Sequence, residues 1–325
     1  GRRARLPIID WRAAVALLVL FVALEGFTRC ELFRMSKDFR RFSGYDARAE
    51  ALARSDAFRI ALVGNSATDR GVDPDVVVST IRAESGRDVD VDLFVADRSR
   101  INTWRYMLKR YFFARGRHAD LIVVTFYEDD LDDGNDVEIG RLAQFFTSPS
   151  DWPGVFRVDL PALDDRVDFV LSSAWATFAA RDRVNQRVLT AVVPGYKPYM
   201  DGVNAAVFEH ARRHARPATP AGPVTDEALA LLLADARRSG DALCFVAYPT
   251  LTTGERSPYE VSPQALATIE RGGAAYVDLR HIPEIRPEDY ADEVHLNEVG
   301  RLLYSQRLAE ALAPIVRSSA ARVAR

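Results

Sequence analysis

Ser66, Asp292 and His295 are the residues of this chain whose types could together do chemistry. Ser66 closes the triplet Gly64-Asn65-Ser66 after the apolar run 60–63, and the other two share the tetrad Asp292-Glu293-Val294-His295 near the C-terminus. A hydroxyl is a weak nucleophile. It needs a base within hydrogen-bond reach and a third group that orients the base. The roles expected are Ser66 as nucleophile, His295 as general base and then acid, and Asp292 as the carboxylate holding the imidazole in the useful tautomer. His295 is one of five histidines and the only one in an Asp-x-x-His-Leu-Asn setting. Each motif also has an ordinary reading. Asn65 or Ser66 would cap a helix, and 292–297 would be a polar helix start capped by Asn297. All three occurring in this order favours catalysis.

A fold must carry a residue near the start and one near the end into one pocket. Apolar runs predict strands at 58–63, 89–96, 120–127, 242–248 and 274–279. The third is continuous in Leu, Ile and Val, as expected of a strand covered on both faces. Asp73-Pro74 opens a helix through residue 82, with Val76, Val77 and Ile81 facing inward. Ile101, Trp104, Leu108, Tyr111 and Phe112 recur at helical spacing, and further helices are expected at 225–238, 262–271 and 297–316. This alternation predicts an α/β fold, a three-layer α/β/α domain around a five-stranded parallel, flavodoxin-like sheet. Ligands in such sheets bind beyond the carboxyl ends of the strands, where Ser66, Asp129 and the 292–295 loop fall. The rhythm breaks over 131–223, which holds Trp152-Pro153, a helical stretch at 168–188 and a Pro-rich passage at 216–223. This is expected to be a mostly helical insertion or lid.

In order and spacing, Gly64-Asn65-Ser66, the acidic block Glu128-Asp129-Asp130 and the pair Asp292…His295 resemble the SGNH (GDSL-type) hydrolase superfamily. The resemblance covers 58–130 and 224–315. It implies acyl-ester chemistry at Ser66 with no cofactor and no metal. Family members usually carry Asp where this chain has Asn65, a glycine in the second block and an asparagine in the third. Here the second block reads Ala96-Asp97-Arg98-Ser99-Arg100-Ile101-Asn102, without glycine, and Asp129 stands at the asparagine position. The oxyanion and substrate candidates are therefore the Ser66 N–H, Ser99 and the Asn102 amide, with Asp129 beside them. An ionised Asp129 accepts hydrogen bonds but donates none.

The N-terminus extends the resemblance. Arg2, Arg3 and Arg5 precede an apolar run at 13–24, which with its flanks approaches the ~20 residues of a membrane helix. Basic residues ahead of the span predict a cytoplasmic N-terminus and an extracytoplasmic, periplasmic bulk. Arg12 would snorkel, and Glu25 would pair with Arg29 one turn later. A cleaved signal peptide and a buried helix are the competing readings. An anchored domain of this kind is similar to accessory proteins of cell-envelope acylation (the DltD, AlgJ and AlgX type). That similarity implies an acyl donor, usually of acetyl, an envelope glycan as substrate, and a membrane-bound O-acyltransferase as partner. The rival is a catalytically inactive SGNH-fold protein that binds glycan or serves as a scaffold.

Composition narrows the classes. A formal charge of −3 gives no global pull toward nucleic acid. Two cysteines make no disulfide framework: Cys244 is expected in the core and Cys30 as an unpaired thiol near the membrane. Six Asp/Glu in the nine positions 128–136 suggest calcium or a metal phosphoesterase, but not at EF-hand spacing, so a solvated loop is favoured. His210 and His214 stand one helical turn apart among arginines and lack a third ligand. The expected organisation is a basic tip and anchor (1–30), a charged stalk (31–56), an SGNH-like domain (57–130 and 224–316), an insertion (131–223) and a tail (317–325).

Overall fold

Five largely apolar segments form five strands: β1 (Phe58–Gly64), β2 (Val89–Val95), β3 (Leu121–Phe126), β4 (Leu243–Ala247) and β5 (Ala275–Asp278). All pair in parallel in the order β2-β1-β3-β4-β5, with Leu62 opposite Leu93 on one side and Val123 on the other. β3 and β4 are buried along their whole length, which is why, Thr125 apart, they read as apolar runs. The computed structural model describes residues 11–32, 34, 36–133, 137–213, 225–251 and 259–323. The basic tip at 1–5, Asp136, His214 and the Pro-rich passage lie outside the described residues.

Helices cover both faces of the sheet, the three-layer α/β/α architecture expected. Pro74–Ser85, between β1 and β2, packs with the long C-terminal helix Glu298–Val323. Ile101–Tyr111, between β2 and β3, packs with Glu227–Ser239, which in turn meets Pro263–Gly272. The first crossover runs one way along the sheet and the later ones run back. Right-handed connections therefore place the two helix sets on opposite faces. Between them lies a core that includes Ile60, Leu62, Ile81, Val123, Cys244, Tyr304 and Leu308. Burial pushes the Cys244 thiol up to about 12, so it serves as an inert core residue. Having left β1 for β2, the chain passes back over β1 to reach β3. That reversal opens a crevice at the carboxyl ends of β1 and β3.

The chain divides into two compact units. One, Ser43–Glu138, Phe145–Leu163 and Pro220–Arg325, holds the sheet. It includes residues expected to form a stalk. The helix Tyr45–Ala53 buries Tyr45, Ala49 and Leu52. The Tyr45 hydroxyl donates to the Val95 carbonyl at 2.5 Å and accepts from the Val95 N–H at 2.8 Å, closing the exposed edge of β2. Its charged neighbours face outward, so composition concealed a core tyrosine. Residues 145–163, expected within the insertion, also pack here: Lys109 reaches Asp151 at 2.5 Å, and Tyr106 and Asn102 donate to Asp159.

The other unit comprises Gly1–Phe42, Ile139–Gln144 and Asp164–Thr219. Within it Trp11–Glu31, 21 residues of mean hydropathy 1.9, is long and apolar enough to cross a membrane. Glu25 does pair with Arg29, at 2.7 Å. Its carboxylate also accepts from the Ala176 N–H at 2.8 Å, the Thr177 N–H at 3.0 Å and the Thr177 hydroxyl at 2.9 Å, capping the short helix Ala176–Ala179. Cys30 is exposed and unpaired.

Candidate active site

The site is built at the carboxyl end of β1. Gly64 ends the strand because a side chain there would overlap Thr68 and Thr125, whose hydroxyls bond each other just beneath. Asn65 then caps the short helix Ser66–Gly71, its side-chain oxygen accepting from the Ala67 N–H at 3.0 Å. The capping reading of Asn65 is therefore correct, and it does not compete with a role for Ser66. As first residue of the helix, Ser66 has its N–H among those that lack an intrahelical acceptor.

His295 and Asp292 arrive on a tight loop. Tyr290 and Leu296 form an antiparallel bridge, and the Ala291 N–H donates to the His295 carbonyl at 2.7 Å. Asn297 holds the far side. Its side-chain oxygen accepts from the Val299 and Gly300 N–H groups, and its amide donates to the Glu288 carbonyl at 2.7 Å. The long helix it caps is fastened under Ser66–Gly71 through Arg301 to the Val72 carbonyl and Ser305 to the Asp73 N–H. A residue 229 positions downstream is thus placed beside Ser66.

The three side chains meet in a line. His295 Nε2 lies 2.9 Å from Ser66 Oγ, and Nδ1 lies 2.7 Å from Asp292 Oδ2 and 2.9 Å from Oδ1. Asp292 Oδ1 also accepts the N–H groups of Val294 (3.0 Å) and His295 (2.8 Å). Burial raises the Asp292 pKa, but those N–H groups and the ring outweigh it and hold the carboxyl below its ordinary value. An ionised Asp292 keeps the proton on Nδ1, which leaves the Nε2 lone pair aimed at the serine hydroxyl.

The oxyanion candidates fare differently. The Ser99 hydroxyl is buried, donating to the Ala96 carbonyl at 2.5 Å and accepting from the Trp104 indole at 2.6 Å, while its N–H is spent on Ala96. Ser99 ties the ends of β1 and β2 together and donates nothing to the crevice. The Asn102 amide is likewise committed, donating to Asp159 at 2.8 Å within the interior. Asp129 is paired with Arg100 at 3.0 Å. Of the four candidates, Ser66 alone remains a donor at the site through its N–H.

Two features escaped the sequence reading. Asp130, next in the chain to the expected Asp129, is the one that reaches the site. It is buried and accepts from the Asn65 amide at 2.9 Å and from the Tyr127 N–H at 3.1 Å. Burial pushes its carboxyl up to about 8 against those bonds. Asp133 is also bound rather than solvated: it accepts from the Ala228 N–H at 2.9 Å, the Thr225 hydroxyl at 2.8 Å and the Glu227 N–H at 2.6 Å, capping Glu227–Ser239 from a distance. The solvated-loop expectation fails at both residues. Among the described residues no cluster of three or more metal-ligating side chains occurs. Arg98 (φ +56°) and Glu128 (φ +51°) are the non-glycine residues with left-handed backbone among those described, and they occupy the turns after β2 and β3. Arg98 thus takes a backbone conformation that glycine adopts far more readily.

No family model and no curated protein matches the chain. Among solved structures, it is similar to an acetylxylan esterase, Axe2, from Geobacillus stearothermophilus (10% identity, 77% of this chain and 92% of that one, TM-score 0.38). It is also similar to LAE5, an alpha/beta hydrolase enzyme from the Lake Arreo metagenome (12%, 82% and 99%, 0.40), and to TesA (13%, 80% and 98%, 0.37). Likenesses at this level assign no residue role. What the chain itself defines is a three-layer α/β/α protein with Ser66, His295 and Asp292 hydrogen-bonded at the switch point of a parallel sheet.

Proposed function

We propose that the protein is a membrane-anchored serine acyl-ester enzyme, an O-acyltransferase or esterase of the SGNH type, acting on a cell-envelope polysaccharide through a Ser-His-Asp triad. The observation that carries this reading is the hydrogen-bonded line Ser66–His295–Asp292. Ser66 Oγ attacks the ester carbonyl as Nε2 takes its proton. The tetrahedral oxyanion collapses, and the departing alcohol takes the proton back from Nε2, leaving Ser66 acylated. Water or a sugar hydroxyl, deprotonated by the same nitrogen, then releases the acyl group, and the choice of acceptor separates esterase from transferase. The Ser66 N–H supports the oxyanion from the start of its helix. The resemblance to envelope-acylation proteins supports acetyl as the acyl group and a membrane-bound O-acyltransferase as partner. The apolar helix Trp11–Glu31 supports an anchor with an extracytoplasmic domain, which raises the effective concentration of enzyme at a membrane-held donor.

The test is release or transfer of acetate from an O-acetylated glycan by the detergent-solubilised full chain. Wild type is expected to turn over and Ser66→Ala to lose activity. Equal turnover by both would overturn the proposal. A second reading, a glycan-binding scaffold that has lost catalysis, is favoured by the commitment of Ser99 and Asn102 to interior partners and of Asp129 to Arg100. It predicts full cellular function with His295→Ala.

A further inference from the structure

The helix Leu163–Ala174 carries an apolar stripe on its exposed side. Its exposed positions are Leu163 (72% exposed), Asp164, Val167 (48%), Val170 (38%) and Ala174, and all but Asp164 are apolar and follow one another at one-turn intervals along a single stripe. Its inward positions include Phe169 and Ser172. A helix bathed in water carries polar side chains along its outer face, so an exposed stripe of four apolar residues marks a surface in contact with something else.

Where the stripe ends identifies the occupant. Next in the chain comes Trp175, itself 40% exposed, with its ring edge-on to Phe21 at 5.3 Å. Phe21 belongs to the apolar N-terminal helix, and immediately beyond Trp175 the Ala176 and Thr177 N–H groups are fastened to Glu25 of that helix. At 1.5 Å rise, Glu25 stands about 21 Å along from Trp11, towards the far edge of a span that size. The stripe thus leads, through Trp175, to a direct contact with the span. A tryptophan at that level matches the interfacial preference of the residue. The helix carries Asp164, Asp165 and Asp168 against Arg166, so no excess of basic charge demands anionic lipid.

We infer that Leu163–Ala174 lies in the membrane interface, its Leu163, Val167, Val170 and Ala174 face seated among the acyl chains of a zwitterionic bilayer beside the anchor. This rests on the anchor proposed above, and the experiment separates the two. The full chain, carrying Cys30→Ser so that only the buried Cys244 remains, is reconstituted into phosphatidylcholine nanodiscs. An environment-sensitive fluorophore is placed in turn at Val167→Cys, Val170→Cys, Leu18→Cys in the span and the exposed Gln186→Cys as the water reference. All four positions are exposed, so labelling leaves packing intact, and circular dichroism verifies the fold. The expected result is blue-shifted emission at 167 and 170, quenched most by lipids spin-labelled near the headgroup. Leu18 is quenched most by lipids labelled deep in the chain, and Gln186 by neither. Emission at 167 and 170 matching Gln186, with Leu18 quenched, overturns the inference and leaves the anchor standing. Blue-shifted but unquenched emission at 167 and 170 overturns it in favour of a protein, such as a second copy, on this face. An unquenched Leu18 removes the anchor and the inference together.

Discussion

Asp292→Asn tests the division of labour at the site most sharply. Asp292 Oδ1 holds two backbone N–H groups, and Oδ2 faces the ring at 2.7 Å. Asparagine keeps the backbone bonds by leaving its oxygen at Oδ1, which points its NH2 group at Nδ1. The ring must then protonate Nε2, and a protonated Nε2 takes no proton from Ser66. Turning the amide round restores the tautomer but forfeits two hydrogen bonds, about 1 kcal/mol each. The anion beside the developing imidazolium is lost as well. At about 4 Å and an effective dielectric constant near 20 that charge is worth roughly 4 kcal/mol. The Asp292 side chain is 39% exposed, so about half survives screening. Together these give ~4 kcal/mol, or a kcat lowered about a thousandfold. The assay is initial-rate hydrolysis of 4-nitrophenyl acetate, with urea unfolding as the control for the fold. KM should hold, and adding His295→Ala should cost less than His295→Ala costs in the wild type, because the two residues act as a unit. The folded Asp292 pKa lies below 3.8, so the stability it contributes is present above that pH and lost as pH falls through the lowered value. The variant's stability deficit should therefore close in acid. A folded Asp292→Asn enzyme within tenfold of wild-type kcat would refute this reasoning.

Tyr45→Phe should lower stability by about 1–3 kcal/mol in urea unfolding, because it strands the N–H and carbonyl of Val95 on the β2 edge. Asp133→Ala should cost about 2 kcal/mol by the same measurement, since it removes three bonds at the start of Glu227–Ser239. Asp130 carries the opposite pH signature to Asp292. Its folded pKa, about 8, exceeds the ordinary 3.8, so the folded state retains a proton the unfolded chain releases. Wild-type stability should fall as pH rises from 3.8 to about 8, and Asp130→Asn should flatten that slope, as unfolding at pH 5 and pH 8 would show.

The sheet was legible because β3 and β4 are buried on both faces and, Thr125 apart, carry only apolar residues, while Ile101, Trp104 and Leu108 mark their helix by spacing alone. The pairing of Asp292 with His295 was legible for a local reason: three residues on one loop settle it. Ser99, Asn102 and Asp133 were misread because their partners, Trp104, Asp159 and the N–H groups of 227–228, are set by tertiary packing that no motif records. Tyr45 was hidden by its charged neighbours, and its partner Val95 lies 50 residues on. Arg98 hid for the converse reason, since its left-handed backbone belongs to a residue type that seldom adopts it.

The central claim is that His295, steadied by Asp292, activates the Ser66 hydroxyl. Treating the solubilised full chain with a fluorophosphonate and mapping the adduct by peptide mass spectrometry tests it most directly. The account predicts a single phosphonylated serine, Ser66, whose labelling rate collapses in His295→Ala. An unlabelled Ser66, or one labelled equally fast without the imidazole, would contradict it.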